Sequence, residues 1–439
     1  MSTPYYPELL ARPVPRYTSY PTAVEFDPSV NAGAQSEALA QVNGAASLYV
    51  HIPYCQQICW YCGCNTGAAN RTQRLTGYLD ALDREIGLVA ARLGDDVAID
   101  RIAFGGGSPN ALSPVIWVRL LDRLLTALRT RSPVLSIELD PRGFTDEWAS
   151  VLGATSVRNV SLGIQSFDPS VQAAIGRVQP TDHITAVVSA LRGAGVQSIN
   201  FDLMYGLPHQ NDAVLAATLA ETVALRPDRI ALFGYAHVPD LIPRQRQIDG
   251  RALPDAAQRF AMAVAGEATL VAAGYQPVGF DHFALPVDPL ARAARNGTLR
   301  RNFQGFTDDD ADVLIGLGAS AISVFPDRLI QNEKNSGRYR MRLSQDALPG
   351  VRGVRRTADD RQRALAIEDF LCGRPADLSA IDHDGAIADD FAPFVARRLA
   401  AATPAGIRFT PEGRPYARVM ASLIDGHRES PVRRSSSAV

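Results

Sequence analysis

Between residues 47 and about 237 the chain alternates short apolar runs with longer stretches whose apolar residues recur every three or four positions. Runs that are apolar throughout suit strands buried on both faces. The longer period suits helices lying across them, so the pattern predicts a parallel sheet with crossover helices, an α/β fold. Six strands are expected, at residues 48–52, 99–104, 135–139, 160–164, 198–203 and 229–235, with helices at 74–91, 114–128, 182–193 and 213–225. In the first of these helices Tyr78, Leu79, Leu82 and Ile86 share one face. Six such units make a partial (β/α)6-type barrel, and in a parallel barrel the chemistry gathers at the C-terminal strand ends.

Further along, a helix at 256–273 and apolar segments at 278–283 and 314–324 read as an extension of the barrel. A charged, Pro/Gly-punctuated stretch near 334–355 leads into a helical region, where residues 407–413 resemble the hairpin of a small winged-helix-like unit. Three parts are expected: a lead at 1–46 covering the barrel mouth, the barrel with its extension at 47–335, and a helical, winged-helix-like domain at 336–439 with a frayed Arg- and Ser-rich tail from 433.

A chain of 439 residues with 46% hydrophobic content can bury a large core. Its 44 basic against 46 acidic residues leave a net charge of -2, which argues against a general nucleic-acid binder. Nearly all the positive charge is Arg, with Lys334 the one lysine. No apolar run approaches a membrane span, and Met1 to Pro7 has neither the basic start nor the apolar core of an export signal. A cytoplasmic monomer is expected.

The cysteines change the picture. Four of the five, Cys55, Cys59, Cys62 and Cys64, fall within ten residues directly after the first predicted strand, the first three at C-x3-C-x2-C spacing. Three thiolates on one loop can hold three corners of an iron-sulfur cube and leave the fourth iron open to another ligand. A closed zinc site wants a second Cys or His pair, which the seven His do not supply, and a disulfide suits a secreted chain. A zinc-stapled interaction scaffold therefore stands as the non-enzymatic alternative. Cys372, alone in an apolar helical pattern, reads as core.

Polar residues recur where the other strands end. The run Gly105-Gly106-Gly107-Ser108 after the second strand would let backbone approach a ligand closely. Glu138 ends the third strand, Gln165 the fourth, and Asp202 lies in the fifth. Taken singly, Glu138 or Asp140 is as well suited to facing solvent, and Arg177 to being a surface charge.

With these features in place the sequence resembles the radical S-adenosylmethionine superfamily, and within it the family of oxygen-independent coproporphyrinogen III oxidases. The likeness is carried by Pro15-Arg16-Tyr17-Thr18-Ser19-Tyr20-Pro21-Thr22-Ala23, Cys62-Gly63-Cys64-Asn65, residues 201–208, Tyr235-Ala236-His237, Asp281-His282-Phe283-Ala284 and Arg301-Asn302-Phe303-Gln304-Gly305, spanning about residues 12–335. It implies a 4Fe-4S cluster on Cys55, Cys59 and Cys62, with Cys64 close by but not a ligand. It also implies S-adenosyl-L-methionine contacts at Tyr49, Gly106, Glu138 and Ile322, and a second molecule of that cofactor at Tyr61, Gly107, Ser108, Gln165, Arg177, Asp202 and Ala236.

The activity implied is oxidative decarboxylation of two propionates of coproporphyrinogen III to vinyl groups by a 5'-deoxyadenosyl radical, giving protoporphyrinogen IX in haem biosynthesis. An electron donor of flavodoxin or ferredoxin type is implied as partner. Because the substrate carries four carboxylates, Arg16 and Arg301 are expected to bind it. The chain departs from the family at Ser108 and Asn110, where Thr is common, and residues 418–425 follow its ending only loosely. A haem-binding relative that carries haem without decarboxylase activity is the alternative within the superfamily.

Overall fold

The computed structural model describes residues 3–69, 72–130 and 132–428. Six parallel strands occupy the predicted places: β1 (Ala45–Ile52), β2 (Ala98–Gly106), β3 (Val134–Leu139), β4 (Asn159–Gln165), β5 (Ser198–Tyr205) and β6 (Arg229–Gly234). They pair in sequence order. Crossover helices cover the outside, among them Thr72–Ala90, Pro114–Ala127, Thr181–Gly193 and Asp212–Leu225. Leu48, Val50, Ile52, Phe104, Leu162, Phe201 and Ile230 are buried against Tyr78, Trp117 and Trp148 in one continuous core.

The sheet is wider than a six-stranded barrel. Beyond β6 lie β7 (Gln276–Val278) and β8 (His282–Ala284), an antiparallel hairpin with β8 against β6. Beyond β1 lie β9 (Val313–Leu317), parallel to it, then antiparallel β10 (Ile322–Phe325), β11 (Arg328–Asn332) and β12 (Gly350–Arg355). The apolar segment expected at 314–324 is thus two strands, because the chain reverses at Gly318, where φ is +97°. A Cβ there would come within 2.5 Å of the His51 carbonyl oxygen and of the Tyr78 hydroxyl, so only glycine fits.

That turn is held from beneath by Glu85. Its carboxylate accepts hydrogen bonds from the Gly318 N–H and the Asn332 side chain, both at 2.7 Å, and from the Tyr339 hydroxyl. Beside it the Tyr78 hydroxyl donates to the His51 carbonyl at 2.6 Å and accepts from the Ala319 N–H. Burial pushes the Glu85 carboxyl up to about 7 against the pull of its three donors. The network fixes the end of β1, from which the cysteine loop departs.

The sheet also runs past the boundary expected at residue 335. The helix Ser336–Leu343 packs on Thr72–Ala90, and β12 completes the sheet edge. The change of architecture comes at Thr357, which caps the helix Ala358–Leu371 in a reciprocal box with Asp360. Nothing in Gly350-Val351-Arg352-Gly353-Val354-Arg355 alternates as a strand does, yet Gly353 is needed there, since its Cβ would meet the Leu329 carbonyl at 2.1 Å.

After Thr357 come the helices Ala386–Ala396 and Ala417–Ile424 and the hairpin Ala400–Thr403 with Gly406–Phe409, which begins before the 407–413 expected for it and overlaps that range only at its second strand. Their core of Phe370, Phe391, Tyr416 and Met420 also takes in Leu10, Val14, Tyr17 and Tyr20. The lead is therefore divided. Its first part belongs to the C-terminal core, while its helix Ala32–Ala40 docks on the sheet edge, where Gln35 reaches Asn332 and Gly350. Cys372 is buried, as expected. The tail from 433 lies outside the described residues, among which no helix is long and apolar enough to cross a membrane.

Replacing Glu85 by Ala strands three buried donors, so Glu85→Ala is expected to destabilise the protein by about 3 kcal/mol or more. Denaturant unfolding monitored by Trp fluorescence measures it.

Candidate functional site

A cavity of about 530 Å³ opens where the parallel strands end. The cysteine loop forms one wall, the glycine run after β2 another, and the ends of β3 to β6 the rest. Of the sixteen candidate residues, Cys55, Cys59, Cys62, Tyr61, Gly106, Gly107, Ser108, Glu138, Gln165, Arg177, Asp202, Ala236 and Arg16 border it. Tyr49, Ile322 and Arg301 do not. Tyr49 is buried behind the wall, its hydroxyl 3.1 Å from His51 Nδ1 and its ring edge-on to Phe303. Ile322 sits in β10, two strands from β1, and like Tyr49 it is not among the residues that border this cavity.

The loop has little regular structure and is pinned by contacts from distant parts of the chain. Tyr54–Cys55 pairs with Gly67–Ala68, the Trp60 N–H donates to the Ile175 carbonyl at 3.0 Å, and Gln245 Nε2 donates to the Tyr61 carbonyl at 2.9 Å. Two guanidiniums reach the thiol in its middle. Arg142 Nη2 and Arg177 Nη1 each lie 3.2 Å from Cys59 Sγ, and both arginines also bind the Asp140 carboxylate.

Arg177 is thus a buried latch and not a surface charge. Burial works against its protonated form, but Tyr61, Asp140 and Cys59 outweigh that and raise its pKa. Asp140 behaves as the counterpart, burial pushing it up and the two arginines bringing it below the ordinary carboxylate range. Arg142 was not singled out from the sequence, and Asp140 was read there only as an acid suited to facing solvent. Their signal was an Asp-Pro-Arg turn directly after a strand, which many loops share.

The glycines are required by what lies against them. A Cβ on Gly106, where φ is +106°, would strike the His51 ring at 2.5 Å, and one on Gly107 would strike the Tyr54 carbonyl at 2.4 Å. These close approaches press the glycine run onto the start of the cysteine loop. Ser108 Oγ accepts from the Asp140 N–H at 2.9 Å and Asn110 donates to the Asp140 carbonyl at 2.8 Å, so the two departures from the family pattern still clamp β2 to β3.

Two carboxyls border the cavity, Asp202 near enough for its charge to act on Glu138. Burial, then the nearby charge of Asp202, raises Glu138 to about 7, with only the Gly106 N–H stabilising its ionised form. Burial raises Asp202 too, though Ser161 and Asn200 donate to it at 3.0 and 2.8 Å. A buried pair of acids, one of them with a single donor, suits a ligand that brings positive charge or hydroxyls.

The thiols of Cys55, Cys59 and Cys62 border the cavity near enough to act on one another by charge; among the described residues no three Cys, His, Asp or Glu side chains gather as a single-ion site. Burial and the neighbouring thiols Cys62 and Cys59 push Cys55 up to about 12, while a hydrogen bond from the Cys64 thiol brings Cys62 down to about 6. Thiols so placed ionise together only when positive charge arrives between them, and two guanidiniums already lean on the middle one. This donor set fits an iron-sulfur cluster.

Comparison with known proteins agrees with this geometry. Residues 49–221 match the Radical SAM superfamily. The chain is 43% identical over 371 residues to an oxygen-independent coproporphyrinogen III oxidase of Bradyrhizobium diazoefficiens, covering 84% of this chain and 82% of that one. It is 39% identical to the anaerobic coproporphyrinogen III oxidase 1 of Cereibacter sphaeroides, covering 97% and 96%. Among solved structures, the coproporphyrinogen III oxidase of Escherichia coli, described as a radical SAM enzyme, superimposes with a TM-score of 0.90 at 33% identity over 97% of this chain and 100% of that one. The likeness therefore extends well beyond residues 12–335, through the C-terminal helices.

The Glu138 carboxyl gives a pH signature. Its folded value of about 7 lies above the ordinary 4.5. Below 4.5 the carboxyl is protonated in folded and unfolded chains alike; above it the unfolded chain releases the proton first, so stability falls until about 7. Without cofactors, the wild type should lose stability relative to Glu138→Gln across that window and run parallel to it above. Thermal melts at stepped pH check this.

Proposed function

The chain belongs to the oxygen-independent coproporphyrinogen III oxidases of the radical SAM superfamily, and from that premise we propose how its cavity performs the oxidative decarboxylation of coproporphyrinogen III to protoporphyrinogen IX. The observation that carries the reading is the meeting of three loop thiols, the glycine run and the Glu138–Asp202 pair around one cavity at the strand ends. Cys55, Cys59 and Cys62 hold the 4Fe-4S cluster. Gly106 and Glu138 receive S-adenosylmethionine, whose ammonium suits a buried carboxylate. Tyr61, Gly107, Ser108, Gln165, Arg177, Asp202 and Ala236 are the residues we assign to a second molecule of it.

When bound, the cluster and S-adenosylmethionine would supply the electron and the radical chemistry that opens a propionate C–H bond. The protein's own part is placement and exclusion. Arg142 and Arg177 hold Cys59 through N–H···S hydrogen bonds, and the glycine run brings backbone against the cofactor without side chains in the way. Met204 and Phe233 add apolar surface to the cavity, and a substrate seated against them would exclude water from the reacting carbon. Thiols reserved for cluster ligation suit a reducing cytoplasm, the location we assign. A monomer taking electrons from a flavodoxin- or ferredoxin-type protein completes the reading.

The haem-carrier alternative predicts binding without turnover. Anoxic reconstitution with iron and sulfide, followed by reductant, S-adenosylmethionine and coproporphyrinogen III, is expected to yield both 5'-deoxyadenosine and a vinyl product. Deoxyadenosine alone would keep the superfamily and reject the substrate. Cys55→Ser, Cys59→Ser and Cys62→Ser should each lose cluster absorbance and decarboxylation; full iron content in Cys59→Ser would count against the ligand set. Asp202→Ala should weaken S-adenosylmethionine binding about tenfold, measured by equilibrium dialysis.

A further inference from the structure

A second cavity of about 220 Å³ adjoins the first and shares Arg16 and Phe233 with it. Its apolar side is Tyr205, Phe233, Phe280 and Phe283. Four guanidiniums line it, those of Arg16, Arg301, Arg414 and Arg418, against two carboxylates, Glu267 and Asp281. Glu267 offsets Arg414 within this lining and Asp281 lies 2.7 Å from His282, which leaves four guanidiniums against two carboxylates. Positive charge thus stands in excess in a partly buried space, which is costly unless an anion joins it.

Arg301 shows the deficit most directly. Its Nε and Nη2 donate to the carbonyls of Tyr17 and Arg16, at 3.2 and 3.1 Å, and its plane lies 4.6 Å from the centre of the Phe306 ring. Its Nη1, fully buried, has no hydrogen-bond partner. Arg16 donates to the Gly234 carbonyl at the cavity rim, and Arg418, from the C-terminal helix, donates to the Val14 carbonyl at 2.8 Å. Burial and then the charge of Arg16 lower the Arg418 pKa to about 10, so the cationic groups feel one another.

We propose that this cavity is a carboxylate anchor, in which Arg301, Arg16 and Arg418 hold propionates of the porphyrinogen other than the one being decarboxylated, with the pyrrole edge against Phe233 and Tyr205. The inference rests on the porphyrinogen reading above. It gives the C-terminal unit a direct part in substrate recognition. It also separates the tasks: the first cavity reacts with one arm while the second grips others.

The test pairs a change in the protein with a change in the ligand. Coproporphyrin III, the fluorescent oxidised form of the substrate, and its tetramethyl ester are titrated into reconstituted wild type, Arg301→Gln, Arg301→Lys and Arg418→Gln in one detergent-containing buffer. Iron content and melting temperature report folding. The tetra-acid should bind about tenfold more weakly to each Gln variant, while ester binding stays as in wild type. Arg301→Lys should fall between for the acid alone, because charge is kept and the fork lost.

Equal loss for acid and ester, or loss for neither, overturns the anchor, since the arginines would then only brace the lead. Should a Gln variant fail to fold, the same comparison with Arg301→Lys decides. A wild type that neither binds the tetra-acid nor converts coproporphyrinogen III overturns the function itself, a result distinct from failure of the anchor.

Discussion

The arrangement of this protein turns on the contact between two guanidiniums and one thiol. Arg142 and Arg177 stand 3.2 Å from Cys59, and Asp140 holds both. Arg177 comes from the segment after β4 and also donates to the Gly163 carbonyl within that strand, so the latch joins loop, β3 and β4 in one charged, buried knot. Burying such charges is expensive unless every partner is in place. A loop of little regular structure gains a defined shape from that requirement, and the three cysteines gain a defined direction.

The second constraint is close packing at the strand ends. Gly106 and Gly107 lie where any side chain would collide with His51 or with backbone, and Gly318 lies where one would collide with the Tyr78 hydroxyl. Above Gly318 begins the cysteine loop and beneath it lies Glu85, whose three donors come from a turn, a strand and a helix far apart in sequence. The site is therefore held from below by a buried carboxylate and from the side by buried cations.

The N-terminal lead connects the barrel to the C-terminal helices. Leu10, Val14, Tyr17 and Tyr20 complete the C-terminal core, and Arg301 and Arg418 grip the backbone between them. Arg16 is held in that grip at the rim shared by both cavities. Neither the barrel nor the C-terminal unit forms this rim alone.

The six parallel strands and the cysteine loop were legible in the sequence because both are local: apolar runs define the strands, and three thiols at short spacing define the chemistry. The positions of Glu138 and Gln165 at their strand ends, and of Asp202 within its strand, followed from the same register. Assignment of β12 to the sheet was not legible, because an Arg- and Gly-rich strand is recognised only by the partner it pairs with. Burial of Arg177, the Asp140–Arg142 latch and the unsatisfied Nη1 of Arg301 were decided by tertiary structure alone. The energy of a charge depends on what surrounds it, and those surroundings come from segments tens to hundreds of residues away.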